Sequence, residues 1–162
     1  ISILYHNPSE VGADRIVNAV AGFSKYKGPL IIVDFGTATT FDVVSAKGEY
    51  LGGAIFPGVQ ISMEALFKNA AKLPRVDLAN PERVIGKSTV ESIQSGAIHG
   101  ITGMVTHIVE KMQQELGEKA KVIATGGISN TIVKSIGIFD DVDPFMTLNG
   151  LLYLYKLNRA ET

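Results

Sequence analysis

The sequence predicts an α/β domain in which three consecutive antiparallel strands are followed by alternating helices and strands. Three observations predict it. Apolar, β-branched runs over residues 30–33, 40–44 and 49–56 are separated by short turns rich in Gly, Ala and Thr, which suits hairpins rather than crossovers. Beyond Ser88, the residues Ile93, Ala97, Ile101, Met104, Ile108 and Met112 recur at helical spacing, so one long helix carries a buried stripe. A later apolar run, 121–124, leads into Thr125-Gly126-Gly127, the pattern of a buried strand ending in a tight turn.

The remaining elements follow in order. Asn7-Pro8-Ser9 signals a helix start, and the helix runs to about Phe23 with Ile16, Val17, Val20 and Phe23 on its apolar side. Gly12-Ala13-Asp14-Arg15 lies near its beginning. Gly52-Gly53 inside the third strand predicts a bulge or a close backbone approach. After Pro57-Gly58 a helix carries Val59, Met63, Leu66, Phe67 and Ala70 and stops by Leu73-Pro74, leaving a loop over 74–81. Ser88 and Glu91 fit a capping box at the start of the long helix. Gly96, Gly100 and Gly103 form a second stripe along it. Each glycine costs up to about 1 kcal/mol relative to alanine there, which predicts close packing against another element. Gly117 ends that helix. A short helix is expected over 129–135, and Asp140, Asp141 and Asp143 read as a solvated loop. A last helix starts at Thr147 with Leu148, Leu151, Leu152 and Tyr155 on one face.

Composition limits the function classes. At 162 residues and 46% hydrophobic content the chain forms one domain, or one and a fraction, with a core that needs no staples. A net charge of −1 gives no footprint for nucleic acid. The absence of cysteine removes disulfides and thiolate metal sites and fits a reducing compartment. No run has transmembrane length and no signal peptide is visible, which predicts a cytoplasmic protein without membrane partners. His6, His99 and His107 lack metal-ligand spacing. The chain starts at Ile1 rather than Met, which predicts a further part upstream.

The chemistry centres on residues 30–40, LIIVDFGTATT. A buried strand ending on Asp34 needs a cation or hydrogen-bond donors to compensate the acid. The Gly36–Thr40 turn lets N–H groups and hydroxyls converge on an anion. Together they point to a nucleotide site; an ordinary hairpin turn satisfied by Asp34 and Thr37 is the alternative. Asp14 suits a general base, or simply an acid in the first turn of a helix; Arg15 can hold a carboxylate, pair with a partner acid, or stand as a solvated neighbour. Thr125-Gly126-Gly127 is a second place where backbone N–H groups can meet a nucleotide. Ser88 and Thr89 can cap their helix or meet a ligand. Gly86-Lys87-Ser88-Thr89 is not a P-loop, because the earlier glycine of that motif is missing, and Lys87 receives no phosphate role.

Seven motifs occur in order: GADR at 12–15, DFGTATTFD at 34–42, GGAIFPG at 52–58, KLP at 72–74, IGKST at 85–89, QSG at 94–96 and TGG at 125–127. Together they resemble type III pantothenate kinase over nearly the whole chain. The element order likewise matches one ribonuclease-H-like half of the sugar-kinase, hexokinase and actin fold. The resemblance implies ATP-dependent phosphorylation of the terminal hydroxyl of pantothenate, the first step of coenzyme A synthesis. It implies Asp14 as proton acceptor, with Gly12, Ala13, Asp14 and Arg15 lining the pantothenate site. It implies Asp34 as ligand of a monovalent cation (potassium or ammonium), Thr37 as an ATP contact and Thr89 as a pantothenate contact, with Mg²⁺ accompanying ATP. It also implies a homodimer with the substrate pocket near the subunit interface.

The family's first phosphate motif, an Asp-x-Gly-Asn-Thr turn, is absent from the sequence. That motif belongs to an N-terminal half of domain size, about 100 residues. The expected organisation is therefore a linker segment and helix over 1–28 and a C-terminal ribonuclease-H-like domain over 29–162, with the N-terminal half outside this chain. The alternative function is a non-catalytic nucleotide-binding or dimerisation module on the same fold.

Overall fold

A computed structural model describes residues 1–70, 72–127, 132, 133 and 135–160. A 3-10 turn, Pro8–Glu10, precedes helix α1, Ala13–Tyr26. Strands β1, Leu30–Phe35, β2, Ala38–Val44, and β3, Tyr50–Pro57, follow. Helices α2, Val59–Asn69, and α3, Thr89–Leu116, lead to strand β4, Lys121–Thr125, then β5, Asp141–Val142, and helix α4, Met146–Ala160. The short helix expected over 129–135 falls largely outside the described residues.

The sheet order is β3-β2-β1-β4-β5. β1 pairs antiparallel with β2 and β2 with β3, whereas β4 joins β1 in parallel and β5 joins β4 in parallel. This is the ribonuclease-H-like arrangement that the element order predicts. β1 occupies the middle, and its first four residues are fully buried, as a strand covered on both faces requires. Ile31, Val33, Phe35, Phe41 and Val43 pack on one face with Val105 and Val109 of α3. Leu30, Ile32, Val44, Tyr50 and Ile123 pack on the other with Ala19 and Ala21 of α1 and Met146 of α4. α1 and α3 therefore lie on opposite faces of the sheet.

Gly52-Gly53 provides both devices that sequence suggested. The β2–β3 register slips between Val43 and Val44, a bulge opposite Gly52 at φ +129°. A Cβ at Gly53 would lie 1.7 Å from the Phe41 carbonyl oxygen. At α3, Ser88 accepts from the Glu91 N–H and Glu91 accepts from the Lys87 N–H, a reciprocal cap.

Several expectations are corrected. In α1 the buried residues include Arg15 and Asn18, while Ile16, Val20 and Phe23 are only half-buried, because two sheet carboxylates draw those polar groups inward. In α3 Ile93 is buried as expected, but further along the buried residues are Ile98, Val105 and Val109, one position removed from the expected stripe, whose members Ile101, Met104, Ile108 and Met112 flank them half-buried. The glycine stripe does not pack closely: a Cβ at Gly96, Gly100 or Gly103 meets nothing within 4 Å among the described residues. Of the acids near 140, Asp140 and Asp141 are exposed as expected, but Asp143 is not, and Asp141 is bonded within a strand. Asp141 belongs to β5 and accepts from Tyr26 Oη at 2.7 Å, and Asp143 is buried and accepts from Lys25 Nζ at 2.8 Å. These contacts clamp the end of α1 to β5 and the start of α4. α4 approaches α1 at Gly150, where a Cβ would lie 2.6 Å from the Val17 carbonyl oxygen. The rest of its apolar side is open: Leu148, Leu151, Leu152 and Tyr155 are each more than half exposed.

Candidate active site

The site forms at the carboxyl end of the central strand. Parallel pairing of β1 with β4 sets Asp34 opposite Thr125, so the turns that follow the two strands lie side by side. Gly126 sits at φ +97°, and a Cβ on it would come within 2.6 Å of Asp34 Oδ1 and of the Phe35 backbone N and O. Only glycine permits both that conformation and that approach. A cavity of about 370 Å³ opens between the turns, lined by Phe35, Gly36, Thr37, Gly127 and, from α2, Gln60 and Glu64. Thr37 is exposed at its wall. The DFGT and TGG turns thus share one pocket.

Asp34 is half-buried and tied to α1. Asn18 Nδ2 donates to its Oδ2 at 2.9 Å, and Thr147 Oγ1 of α4 donates to Asn18 Oδ1 at 2.7 Å. Burial raises the Asp34 pKa above the ordinary carboxylate value; the Asn18 hydrogen bond opposes this, and the negative charge of Asp14 adds to it. The two carboxylates therefore lie close enough to repel each other. A carboxylate held this way, with burial and a neighbouring acid both disfavouring its charge, fits a bound cation, which would relieve both. Among the described residues no group of three or more His, Asp or Glu side chains gathers to hold a metal.

The GADR turn supplies the second wall. Gly12 caps α1, its carbonyl accepting from the N–H groups of Arg15 and Ile16. Asp14 is exposed, and its Oδ1 accepts from the Arg15 N–H at 2.9 Å. A Cβ on Gly12 would lie 2.6 Å from that same oxygen. The Arg15 side chain runs the other way, into the sheet: Nε donates to Asp42 Oδ1 at 2.7 Å, with side-chain exposures of 7% and 0%. Asp42 also accepts from Tyr50 Oη at 2.8 Å and from Thr40 Oγ1 at 3.1 Å. Burial drives the Asp42 pKa up and the adjacent guanidinium pulls it down, with burial prevailing; the Tyr50 pKa is raised by burial and then by Asp42.

The structure thus brings Gly12, Ala13, Asp14, Asp34 and Thr37 to one end of the sheet, with Arg15 anchored beneath them. It does not bring Thr89 there. Thr89 opens α3, on the opposite face from α1, and is exposed. Neighbouring side chains bond to the preceding segment, Ser95 to the Val84 carbonyl and Gln94 to the Asp77 carbonyl. Sequence reasoning passed over Asn18, Thr147, Asp42 and Tyr50. Two signals were available: Asn18 stands four residues after Asp14 on a helix, and Asp42 is an acid inside an apolar strand that needs a partner as much as Asp34 does.

No helix among the described residues is long and apolar enough to cross a membrane. The sequence profile of type III pantothenate kinase matches residues 1–111. A type III pantothenate kinase from Myxococcus xanthus is 56% identical over 158 residues, and one from Citrifermentans bemidjiense is 58% identical over 157, covering 98% and 97% of this chain. The chain spans 62% of the length of each relative. Among solved structures, a Baf family protein from Campylobacter jejuni superposes with a TM-score of 0.69 at 21% identity, covering 99% of this chain and 69% of its own. An Alp12 filament subunit superposes with a TM-score of 0.55 at 14% identity, covering 92% and 53%. These two likenesses show the shared fold. With two turns, two neighbouring acids and the GADR anchor at one sheet end, and with this profile and these relatives, the chain belongs to the type III pantothenate kinase family.

Proposed function

We propose that this chain is the C-terminal part of an enzyme that transfers the γ-phosphoryl group of ATP to the terminal hydroxyl of pantothenate. The observation that carries the proposal is the convergence at one sheet end: Asp14 lies near enough to Asp34 to act on its charge, Gly126 packs against Asp34, and the cavity beside them is walled by Phe35, Gly36, Thr37 and Gly127. Asp14 accepts the hydroxyl proton, the oxygen attacks the γ-phosphorus, and the bond to the bridging oxygen breaks to release ADP. A primary alcohol needs a positioned base more than a strong one, and phosphoryl transfer depends chiefly on alignment and charge neutralisation. Thr37 contacts ATP at the cavity wall, and the 12–15 turn lines the pantothenate pocket. Asp34 holds a monovalent cation, potassium or ammonium; this cation and Mg²⁺ supply positive charge near the phosphates.

Two structural features favour a larger assembly. The apolar side of α4 lies open, and the first phosphate motif of the family is missing from the sequence. Both fit an N-terminal half of the same enzyme that closes the cleft, with 1–28 as linker and 29–162 as the C-terminal domain. Thr89 lies on the opposite side of the sheet from Asp14, so its contact with pantothenate belongs to a homodimer in which each α3 reaches the pocket of the other copy. The open glycine stripe of α3 beside exposed Phe56 suits such a seam. The reaction belongs in the cytoplasm, where its substrates are.

The test is ADP formation by the full-length protein with and without pantothenate. Pantothenate-dependent turnover that falls by about 10²–10⁴ in Asp14→Asn is expected of a lost general base. Nucleotide binding with no turnover at all would favour the non-catalytic module instead.

A further inference from the structure

Asp14 stands on an exposed turn, and something must hold it. Among the described residues its side chain makes one hydrogen bond, accepted from the backbone N–H of Arg15, so its orientation depends on where that backbone is fixed. That backbone is held at the helix start, where the Arg15 N–H also meets the Gly12 carbonyl at 3.1 Å, and by the anchored Arg15 side chain. Nε is bonded to Asp42, the guanidinium lies 5.8 Å from the centroid of the Tyr50 ring, and Nη2 is buried, without a hydrogen-bond partner among the described residues, where a Cβ on Gly53 would come within 2.8 Å of it. Asp42 is held in turn by Tyr50 from β3 and Thr40 from its own strand. A guanidinium enclosed like this cannot swing out to a ligand without leaving a buried carboxylate uncompensated.

We propose that Arg15 is a positioning residue rather than a substrate ligand: Asp42, Tyr50 and Thr40 lock its side chain into the sheet so that its backbone N–H aims Asp14 into the cleft. This rests on the kinase reading above. It gives Asp42 and Tyr50 a role in catalysis although neither touches the reacting atoms. It also divides the GADR turn, whose backbone lines the pocket while its arginine anchors the base. Gly53 belongs to the device, since any side chain there would push against the guanidinium.

Steady-state kinetics on the full-length protein test it. Asp42→Asn should lower kcat about 100-fold, the scale of a base displaced by about an ångström, with KM for pantothenate within about threefold of wild type. In an Asp14→Asn background the same change should lower kcat no further, because the group it positions is gone. Tyr50→Phe, which removes one hydrogen bond from Asp42 and nothing else, should give a smaller fall in kcat with the same dependence on Asp14. A rise in pantothenate KM of about tenfold or more with kcat intact would make Arg15 a substrate ligand and overturn the proposal. Equal losses from Asp42→Asn with and without Asp14 would also overturn it. If Asp42→Asn does not fold, Tyr50→Phe decides, and a wild-type kcat in that variant sinks the idea. Failure of the kinase reading would show elsewhere, as a wild-type protein that turns over no pantothenate.

Discussion

The same substitution, glycine to alanine, should have opposite signs at Gly53 and at Gly100. At Gly53 the added Cβ would lie 1.7 Å from the Phe41 carbonyl oxygen, and contacts under 3.0 Å are not tolerated. The β2 and β3 backbones must therefore separate by about 1.3 Å at a point where Asp42 pairs with Gly53. Overpacking of this kind costs about 1–3 kcal/mol, and each ladder hydrogen bond broken by the separation adds about 1 kcal/mol. The displaced strand also carries the Asp42 end of a buried ion pair. A loss of at least about 3 kcal/mol follows, which for a chain of this size lowers Tm by roughly 6–12 °C. At Gly100 nothing lies within 4 Å of the new methyl group, and helix propensity alone gives a gain of about 0.8–1 kcal/mol, or roughly 2–4 °C. Thermal and urea unfolding of both variants, run at several protein concentrations, would measure the pair. If Gly53→Ala unfolds within about 0.5 kcal/mol of wild type, the close approach of β2 and β3 is not real and the reasoning fails. A loss at Gly100 in dilute protein would show that something already packs on the stripe.

Three further outcomes follow from the same geometry. The Asp34 pKa is raised by burial, so its ionised form destabilises the folded chain at neutral pH and that penalty disappears as pH falls below the folded pKa; Asp34→Asn should therefore raise Tm at pH 7, with the gain shrinking in acid, and a gain independent of pH between 3 and 7 would contradict it. Asn18→Ala removes the hydrogen bonds to Asp34 and Thr147 and should cost about 1–2 kcal/mol, since it leaves two half-buried partners to find water instead; unfolding in urea gives the number. Ser88→Ala removes the α3 cap and should cost about 1 kcal/mol, whereas Thr89→Val should leave stability unchanged and raise pantothenate KM in the dimer, a split that calorimetry and kinetics together would reveal.

Much of the fold was legible because its signals are local. Hairpin spacing, the capping box of α3 and the strand ending on Asp34 are each written within a dozen residues, and β3 and β4 fall within one residue of their expected limits. What escaped was long-range. Asp143 looks solvated until Lys25, 118 residues earlier, is placed beside it, and β5 is two residues long, too short for any periodicity. Arg15 and Asn18 fall on the buried side of α1, where a pattern of apolar residues cannot point to them; they are inside because Asp42 and Asp34 are. The α3 glycines misled for a related reason. Their spacing announces a close approach, yet the partner is not among the described residues.

The two acids of the sheet explain why the site forms where it does. Asp34 and Asp42 lie on neighbouring strands, on the same face, and each draws one polar side chain of α1 toward it, Asn18 to the first and Arg15 to the second. Three residues separate those side chains, close to one helical turn, so both bonds form without bending the helix. With α1 fixed at two points, its first turn has a single place to stand, above the end of β1, and Asp14 is carried there with it. The parallel addition of β4 then brings a second glycine turn to the same end, while the antiparallel hairpin supplies the first. The pocket is thus a consequence of strand direction and of two buried carboxylates that must be answered. A sheet that kept the hydrophobic pattern but replaced both acids by apolar residues would keep its strands and lose the reason for α1 to end over the cleft.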